Sequence, residues 1–274
     1  MRLYALAVYS FLYIPIGIIA VFSFNGGRSA TQMQGLSLQW NGAALSNTFV
    51  IEAFRTSLFV ALTSATLATV FGTMAALALQ PVKGRVRVMF DAMIYVAVMV
   101  PGIVIGISTL IAMVTLFDWR NPLLAAVWPI ADAAPQLSLG YGSLIASHGL
   151  FAMALVIILV RARVAGMDRS LIEGSADLGA TPFGTFRQVT LPQIMPGILA
   201  GFRLSFTFSF DDFIIAFFVA GSETTLPVYV FSSIRRGVTP EINAIGSMVL
   251  AVSLCLLIAA QLILQRGRRS GPAT

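Results

Sequence analysis

The chain has 274 residues, is 58% hydrophobic and only 10% charged, and carries a formal net charge of +6 with one cysteine and one histidine. This composition excludes an intrachain disulfide framework and a multi-histidine or His-Cys metal cluster, and the pieces between the apolar runs are too short for a separate soluble domain. The basic residues sit at the ends of apolar runs and not on one soluble face, so membrane topology explains them and nucleic acid does not.

A bilayer core of ~30 Å needs ~20 residues of helix to cross it. Six runs qualify in chain order: Leu3 to Phe24, Ser57 to Leu79, Phe90 to Leu116, Gly142 to Val160, Gly197 to Val219 and Ala244 to Leu264. The expectation is an all-α polytopic membrane protein with six transmembrane helices. The first run is too long for a secretory signal and lacks a small-x-small cleavage site before Asn25, so it is read as a retained anchor. The loop from Asn25 to Phe54 is rich in Gly, Ser and Asn. In the third run Pro101 cannot donate its backbone N–H and Gly102 loosens the helix, which predicts a kink. The loop from Phe117 to Tyr141 carries Trp119 and Trp128 as interfacial anchors among Pro122, Pro129 and Pro135. His148, near the outer end of the fourth run, is expected to be hydrogen-bonded within the bundle; the alternative is that it lines a path. Cys255 reads as a small buried apolar residue.

Orientation follows from Lys and Arg, which are held on the cytoplasmic side. With both termini inside, the cytoplasmic pieces hold Arg2, Lys83, Arg85, Arg87, Arg161, Arg163, Arg169, Arg187, Arg266, Arg268 and Arg269, against Arg28, Arg120, Arg235 and Arg236 outside.

The chemistry that is missing narrows the function. The single lysine, Lys83, is followed by Gly84, so a phosphate-cradling G-x-x-x-x-G-K-[ST] loop cannot exist. If ATP drives this protein, another subunit binds it. There is no GxSxG elbow, and the scarcity of His, Cys and Lys argues against a membrane enzyme. No inverted repeat stands out, which weighs against a stand-alone carrier or channel.

Between the fourth and fifth runs lies a polar, punctuated segment. Ser170-x-x-Glu173 fits a capping box that starts a helix. Leu171, Ser175 and Leu178 share one side of it, Ile172, Ala176 and Ala180 the neighbouring one. Gly179 offers the left-handed conformation that ends it. Thr181-Pro182 restarts a helix through about Gln188, and Leu191-Pro192 with Pro196 set the return into the fifth run. The segment therefore reads as a rigid helix-turn-helix projection on the cytoplasmic face, with an ordinary loop on the headgroups as the alternative.

Asp211 and Asp212 lie within the fifth run, where a carboxylate is costly unless it faces water or a partner. Adjacent positions point ~100° apart. Gly201, Ser205, Ser209, Asp212 and Ala216 form a small, polar stripe; Phe206, Phe210, Phe213 and Phe217 form a bulky one. Asp212 is expected to face a path, leaving Asp211 to pair with Thr207 or a neighbouring span. The alternative, that one or both carboxylates are structural or reach the outer interface, stays open. Beyond, Thr225, Leu226 and Pro227 start a short helix ending in Arg235-Arg236 and Gly237, and Thr239-Pro240-Glu241 caps the sixth run.

Glu173-x-x-x-Asp177-Leu178-Gly179-Ala180, followed by Leu191-Pro192 and Pro196-Gly197, resembles the EAA loop of inner-membrane permeases of binding-protein-dependent ABC importers. Glu173 lies 101 positions before Thr274, the conventional place for that motif. The resemblance implies a type I ABC importer permease (MetI-like) fold, one transmembrane permease domain over 1–274, and a cytoplasmic coupling loop over 161–196. In that loop Glu173, Gly174, Ser175, Asp177, Leu178, Gly179, Ala180, Leu191 and Pro192 would meet the ATPase. Glu-Gly-Ser replaces the usual Glu-Ala-Ala, and a glycine inside a helix costs ~1 kcal/mol relative to alanine.

The stretch from Phe206 to Ser247, with its paired aspartates, Thr-Leu-Pro-Val turn and Pro-Glu-Ile-Asn-Ala, is similar to permeases of the spermidine/putrescine type. This implies a small cationic solute and a translocation path at Asp211, Asp212, Ser209, Phe210 and Phe213, where aromatic rings would add cation–π contacts. It also implies an outer gate or binding-protein contact at Glu223, Thr225, Pro227, Tyr229, Arg235 and Glu241. One departure is Gly102, where polyamine permeases often carry a carboxylate after the proline; an opine, a phosphonate or an amino-acid derivative is the alternative cargo. The implied partners are a second permease subunit, two ATP-binding subunits that hold ATP and Mg, a periplasmic or surface-tethered substrate-binding protein, and the bilayer of a bacterial inner membrane. The implied mechanism is alternating access, with no cofactor in this chain.

Overall fold

The computed structural model describes residues 2–29, 32–129, 134–237 and 239–269. Among them the regular structure is helical, apart from one isolated antiparallel bridge between Asn25 and Leu36. The helices are α1 (Arg2–Phe22), α2 (Gln39–Ser46), α3 (Thr48–Ala78), α4 (Gly84–Met99), α5 (Gly102–Val127), α6 (Tyr141–Ala165), α7 (Ser170–Asp177), α8 (Pro182–Thr185), α9 (Leu191–Asp211), α10 (Ile214–Val219), α11 (Leu226–Arg236) and α12 (Pro240–Arg269). A π-helical turn, Phe186–Thr190, joins α8 to α9. Among the described residues, four stretches are long and apolar enough to cross a membrane: Leu3–Phe22, Thr48–Ala78, Gly102–Val127 and Tyr141–Ala165. Pro240–Cys255 is a shorter apolar helix.

Two of the expected spans are not single helices. The third run breaks at Val100 and Pro101, both extended (ψ 132° and 136°), so the predicted kink is a full interruption between α4 and α5. Proline at 101 pushes the preceding residue out of the helical region and lacks the N–H that would continue the ladder. The fifth run breaks at Asp212, whose ψ of 120° ends α9 two residues before α10 begins.

The chain divides into two compact units, one of residues 1–52 with 229–274 and one of residues 53–228. In the first, α12 packs on α1 and α2. Its loop is organised by buried Asn25, whose Oδ1 accepts the N–H groups of Gly27 (3.1 Å) and Gln34 (2.8 Å) while Nδ2 donates to the carbonyls of Ser29 and Gln32. Trp40 Nε1 donates to Gly27 O (2.9 Å). A buried amide with its donors and acceptors all in use fixes a turn that Gly, Ser and Asn content alone leaves floppy. Cys255 is exposed, not buried as its composition class suggests.

In the second unit α6 is the central element, in contact with α4, α5, α9 and α10, and its fully buried Val156 and Val160 lie in a core completed by Ala68, Ala76, Ala152 and Ile157. Glycines let the neighbours approach. A Cβ at Gly72 of α3 would stand 2.8 Å from Val156 Cβ, and one at Gly201 of α9 would stand 3.3 Å from its methyls. Close approach of this kind, through small residues, is how helices associate in lipid, where burying apolar surface gives no advantage.

Candidate functional site: a broken helix and a projecting hairpin

The fifth run and α6 meet along the small stripe predicted above. Gly201 packs on Val156, Ser205 Oγ reaches Ala152 O (3.5 Å), and Ser209 Oγ lies 2.7 Å from His148 Nδ1. Gly201, Ser205, Ser209 and Ala216 are all buried. The stripe is therefore a helix–helix seam and not an open, path-facing surface. Small size and a hydroxyl suit close packing as well as they suit a wet path, and periodicity alone does not separate the two.

Asp212 belongs to the same seam. Its Oδ2 accepts the backbone N–H of Ala216 (3.0 Å) and lies 3.5 Å from His148 Nε2. The carboxylate thus serves the first turn of α10, where four N–H groups lack intrahelical acceptors. Among the described residues, His148 is hydrogen-bonded within the bundle through Nδ1 to Ser209, as expected, while its buried Nε2 approaches Asp212 without a hydrogen bond. Asp211 is exposed and is not hydrogen-bonded to Thr207; its expected internal pairing gives way to a position at the open end of α9. Of the other proposed path residues, Ser209 and Phe210 are buried, Phe210 stacked on Phe206 (5.9 Å) and edge-on to Phe54 (5.9 Å), while Phe213 is half-buried against Phe217.

The break is held from a second side. In "GIVIG", Gly102 and Gly106 stand one turn apart on α5. A Cβ at Gly106 would come within 2.7 Å of Phe218, and one at Gly102 within 3.7 Å of Ile214. Gly102 was expected only to loosen the helix; its small-xxx-small spacing with Gly106 is the sequence signal for this face that docks α10. Ser143 Oγ donates to Val219 O (2.7 Å), closing the far end of α10.

Between α6 and α9 the chain projects a hairpin. α7 starts at Ser170 as expected, but the capping box does not form: Asp168 Oδ1 accepts both the N–H (3.0 Å) and the hydroxyl (2.8 Å) of Ser170, and Glu173 is left exposed. The Ser170 hydroxyl and amide hold the Asp168 carboxyl below its usual range. Gly179 takes φ +77° at the end of α7, and Thr181 Oγ1 accepts the N–H of Gly184 (3.2 Å) with Pro182 in the first helical position. Ser175 Oγ and Thr185 Oγ1, 2.8 Å apart, tie the two arms together. Beyond α8 the helix does not stop near Gln188. It continues through the π turn into α9, with Leu191 and Pro192 in the first turn of α9 and Pro196 inside it, so the prolines do not mark a separate turn. No residue of α7 is buried, and Gly174, Asp177, Gly179 and Ala180 are exposed; Leu178 is 90% exposed and Phe183 72%.

Of the residues expected at an outer gate, Thr225 is buried, and Leu226 N–H donates to Ser57 Oγ (2.8 Å). Tyr229 and Glu241 both meet Asn47, whose Nδ2 donates to Glu241 Oε1 (2.8 Å) and Tyr229 Oη (3.3 Å). Pro227 and Glu223 are half-buried; Arg235 is exposed near the end of α11, which stops before Gly237 as expected.

Residues 68–269 match the family described as binding-protein-dependent transport system inner membrane component. The chain belongs to this family. It is 36% identical over 258 residues to the spermidine/putrescine transport system permease protein PotC of Escherichia coli (strain K12), covering 94% of this chain and 90% of that one. It is 39% identical over 255 residues to the putrescine transport system permease protein PotI of the same strain, covering 92% and 86%. Its fold is similar to a chain of a bacterial ABC transporter involved in the import of alginate (TM-score 0.71, 15% identity, 99% and 96% covered) and to one of the MetNI methionine ABC transporter (TM-score 0.58, 16% identity, 79% and 94% covered). This is a membrane transport component with a type I importer permease fold.

Proposed function

We propose that this chain is the transmembrane permease subunit of an ATP-driven importer of polyamines such as putrescine or spermidine. The observation that carries this reading is the kinship with PotC and PotI over more than nine-tenths of the chain. The hairpin supports the coupling part. Its arms are cross-tied, and its tip offers Leu178 and Phe183 without intramolecular cover, as a surface that docks an ATPase would. Closure of two ATP-binding subunits on α7 would move α9 through the continuous helix from Pro182, and the spans would alternate between two states biased by ATP and by a loaded binding protein. The second permease subunit, the binding protein and the bacterial inner membrane complete the assembly.

For the path, the exposed carboxylate of Asp211 is the better acceptor of a cationic amine, because it stands at the C-terminal, negative end of α9. Asp212 supports it by holding the break. Gly102, lacking the carboxylate of many polyamine permeases, favours a second reading in which the cargo is another small solute.

Co-reconstitution with the ATPase, second permease and binding protein tests this. ATP-dependent uptake of labelled putrescine or spermidine is expected. Uptake by this chain with no ATPase present defeats the importer reading, and ATP-driven preference for a neutral or anionic solute defeats the polyamine assignment.

A further inference from the structure

A groove of about 780 Å³ opens between α3, α4, α5 and α6, and nothing in the transport cycle above uses it. Its walls are apolar, with Phe90, Met93, Leu150 and Ala154 among them. Of its three hydroxyls, Thr109 and Ser147 donate back to their own helices, to Ile105 O (2.7 Å) and Ser143 O (2.7 Å). A groove with apolar walls and two of its three hydroxyls turned onto backbone carbonyls is built for hydrocarbon and not for a polar solute.

One end of the groove is basic. On α4 the positions Arg87, Asp91 and Ile94 lie on one face, and on α6 so do Ala154, Ile157 and Arg161, at helical spacings of three and four. Ile94, Ala154 and Ile157 line the groove; the same two faces then bring Arg87 and Arg161 together over Asp91. Arg161 Nη1 pairs with Asp91 Oδ1, and Arg87 Nε lies 3.7 Å from Oδ2. Two guanidinium groups face one carboxylate, which leaves one positive charge, and the Arg87 side chain is 47% exposed.

The depth fits as well. Ser147 to Ile157 is ten residues of α6, about 15 Å at the helical rise, and one leaflet of a ~30 Å hydrocarbon core has the same thickness. We propose that this groove binds a single anionic phospholipid, its acyl chain along α4 and α6 and its phosphate on Arg87 and Arg161. The inference rests on the chain's place in a membrane and is independent of the transported solute.

The test is native mass spectrometry of the full chain, assembled with its transport subunits, against phosphatidylglycerol, phosphatidylcholine of the same chain length, and inorganic phosphate. Retained phosphatidylglycerol in excess of phosphatidylcholine is expected, with no displacement by phosphate. Arg87→Gln should lower phosphatidylglycerol about fivefold, the effect of one basic residue near the headgroups, and leave phosphatidylcholine unchanged. Ala78→Phe, at an exposed position, and Ala97→Phe, at a half-buried one packed against the Val156 core, fill the groove, and should lower both lipids. Equal retention of the two lipids, displacement by phosphate, no loss in the groove-filled variants, or no lipid in the assembly because a protein subunit occupies the groove would each overturn the proposal.

Discussion

His148 Nδ1 lies 2.7 Å from Ser209 Oγ, both groups buried, and this contact pins α6 to α9 one turn before the fifth span breaks. The other ring nitrogen faces Asp212, beyond the last residue of α9. The imidazole is thus bonded to α9 and stands beside the discontinuity without a hydrogen bond across it. His148→Ala would leave the Ser209 hydroxyl without its partner, a loss of about 1–3 kcal/mol. A lower melting temperature of the purified protein is expected; an unchanged one would show that the bridge contributes nothing.

The two aspartates should separate cleanly. Asp212→Ala removes the acceptor for Ala216 N–H and should cost about 0.5–2 kcal/mol, as other lost helix caps do, whereas Asp212→Asn keeps an acceptor and most of the stability. Asp211→Asn, at an exposed position, should shift stability by less than about 0.5 kcal/mol while sharply reducing ATP-driven putrescine uptake. Melting curves and uptake measured on the same preparations decide this. If Asp211→Asn melts early and transports normally, the roles are reversed.

Val156 is gripped from two sides by glycines. Gly72→Ala would place a methyl 2.8 Å from Val156 Cβ, an overpacking expected to cost about 1–3 kcal/mol. Adding Val156→Ala should recover part of that loss, because the two changes share one space. Additive destabilisation in the double variant would mean that the contact is not the cause.

On the hairpin, Leu178→Asp should leave stability within about 0.5 kcal/mol, since the side chain is 90% exposed. Uptake should nonetheless fall about tenfold or more relative to ATP hydrolysis, the consequence of losing roughly 1.4 kcal/mol at a docking contact. Glu173→Lys, also exposed, should act in the same direction. Unaltered coupling in both would remove this face from the ATPase contact.

The start of α7 should respond to acid. Asp168 is held below its usual range by the Ser170 hydroxyl and amide. A depressed carboxyl stabilises the helix start above the unfolded value near pH 4 and loses that contribution as pH falls through the lower folded value. Hydrogen exchange at the Ser170 amide should therefore accelerate, relative to its intrinsic rate, below about pH 4, and Asp168→Ala should show the faster exchange at neutral pH. A Ser170 amide equally protected in the variant would exclude the cap.

Much was legible before any coordinates. Apolar runs of helical length specified the membrane helices, because a bilayer admits few other ways to satisfy a backbone. Gly179, Thr181-Pro182 and Gly237 marked their turns through local backbone preferences. These signals are short-range, so the chain's own covalent geometry writes them into the sequence. What lay beyond reach depended on which surfaces meet. The stripe of Gly201, Ser205, Ser209 and Asp212 had the composition of a wet path and became a seam, because Val156 and His148, both far earlier in the chain, fill the space beside it. Ser170 does not cap because its hydroxyl and its own N–H are both donated to Asp168, while the N–H groups of Ile172 and Glu173 go to Arg169 O. Sequence by itself determined that this chain spans a membrane and projects a stiff polar hairpin. Only the tertiary structure decided which carboxylate at the break is occupied and which is open, because that depends on partners that periodicity cannot place.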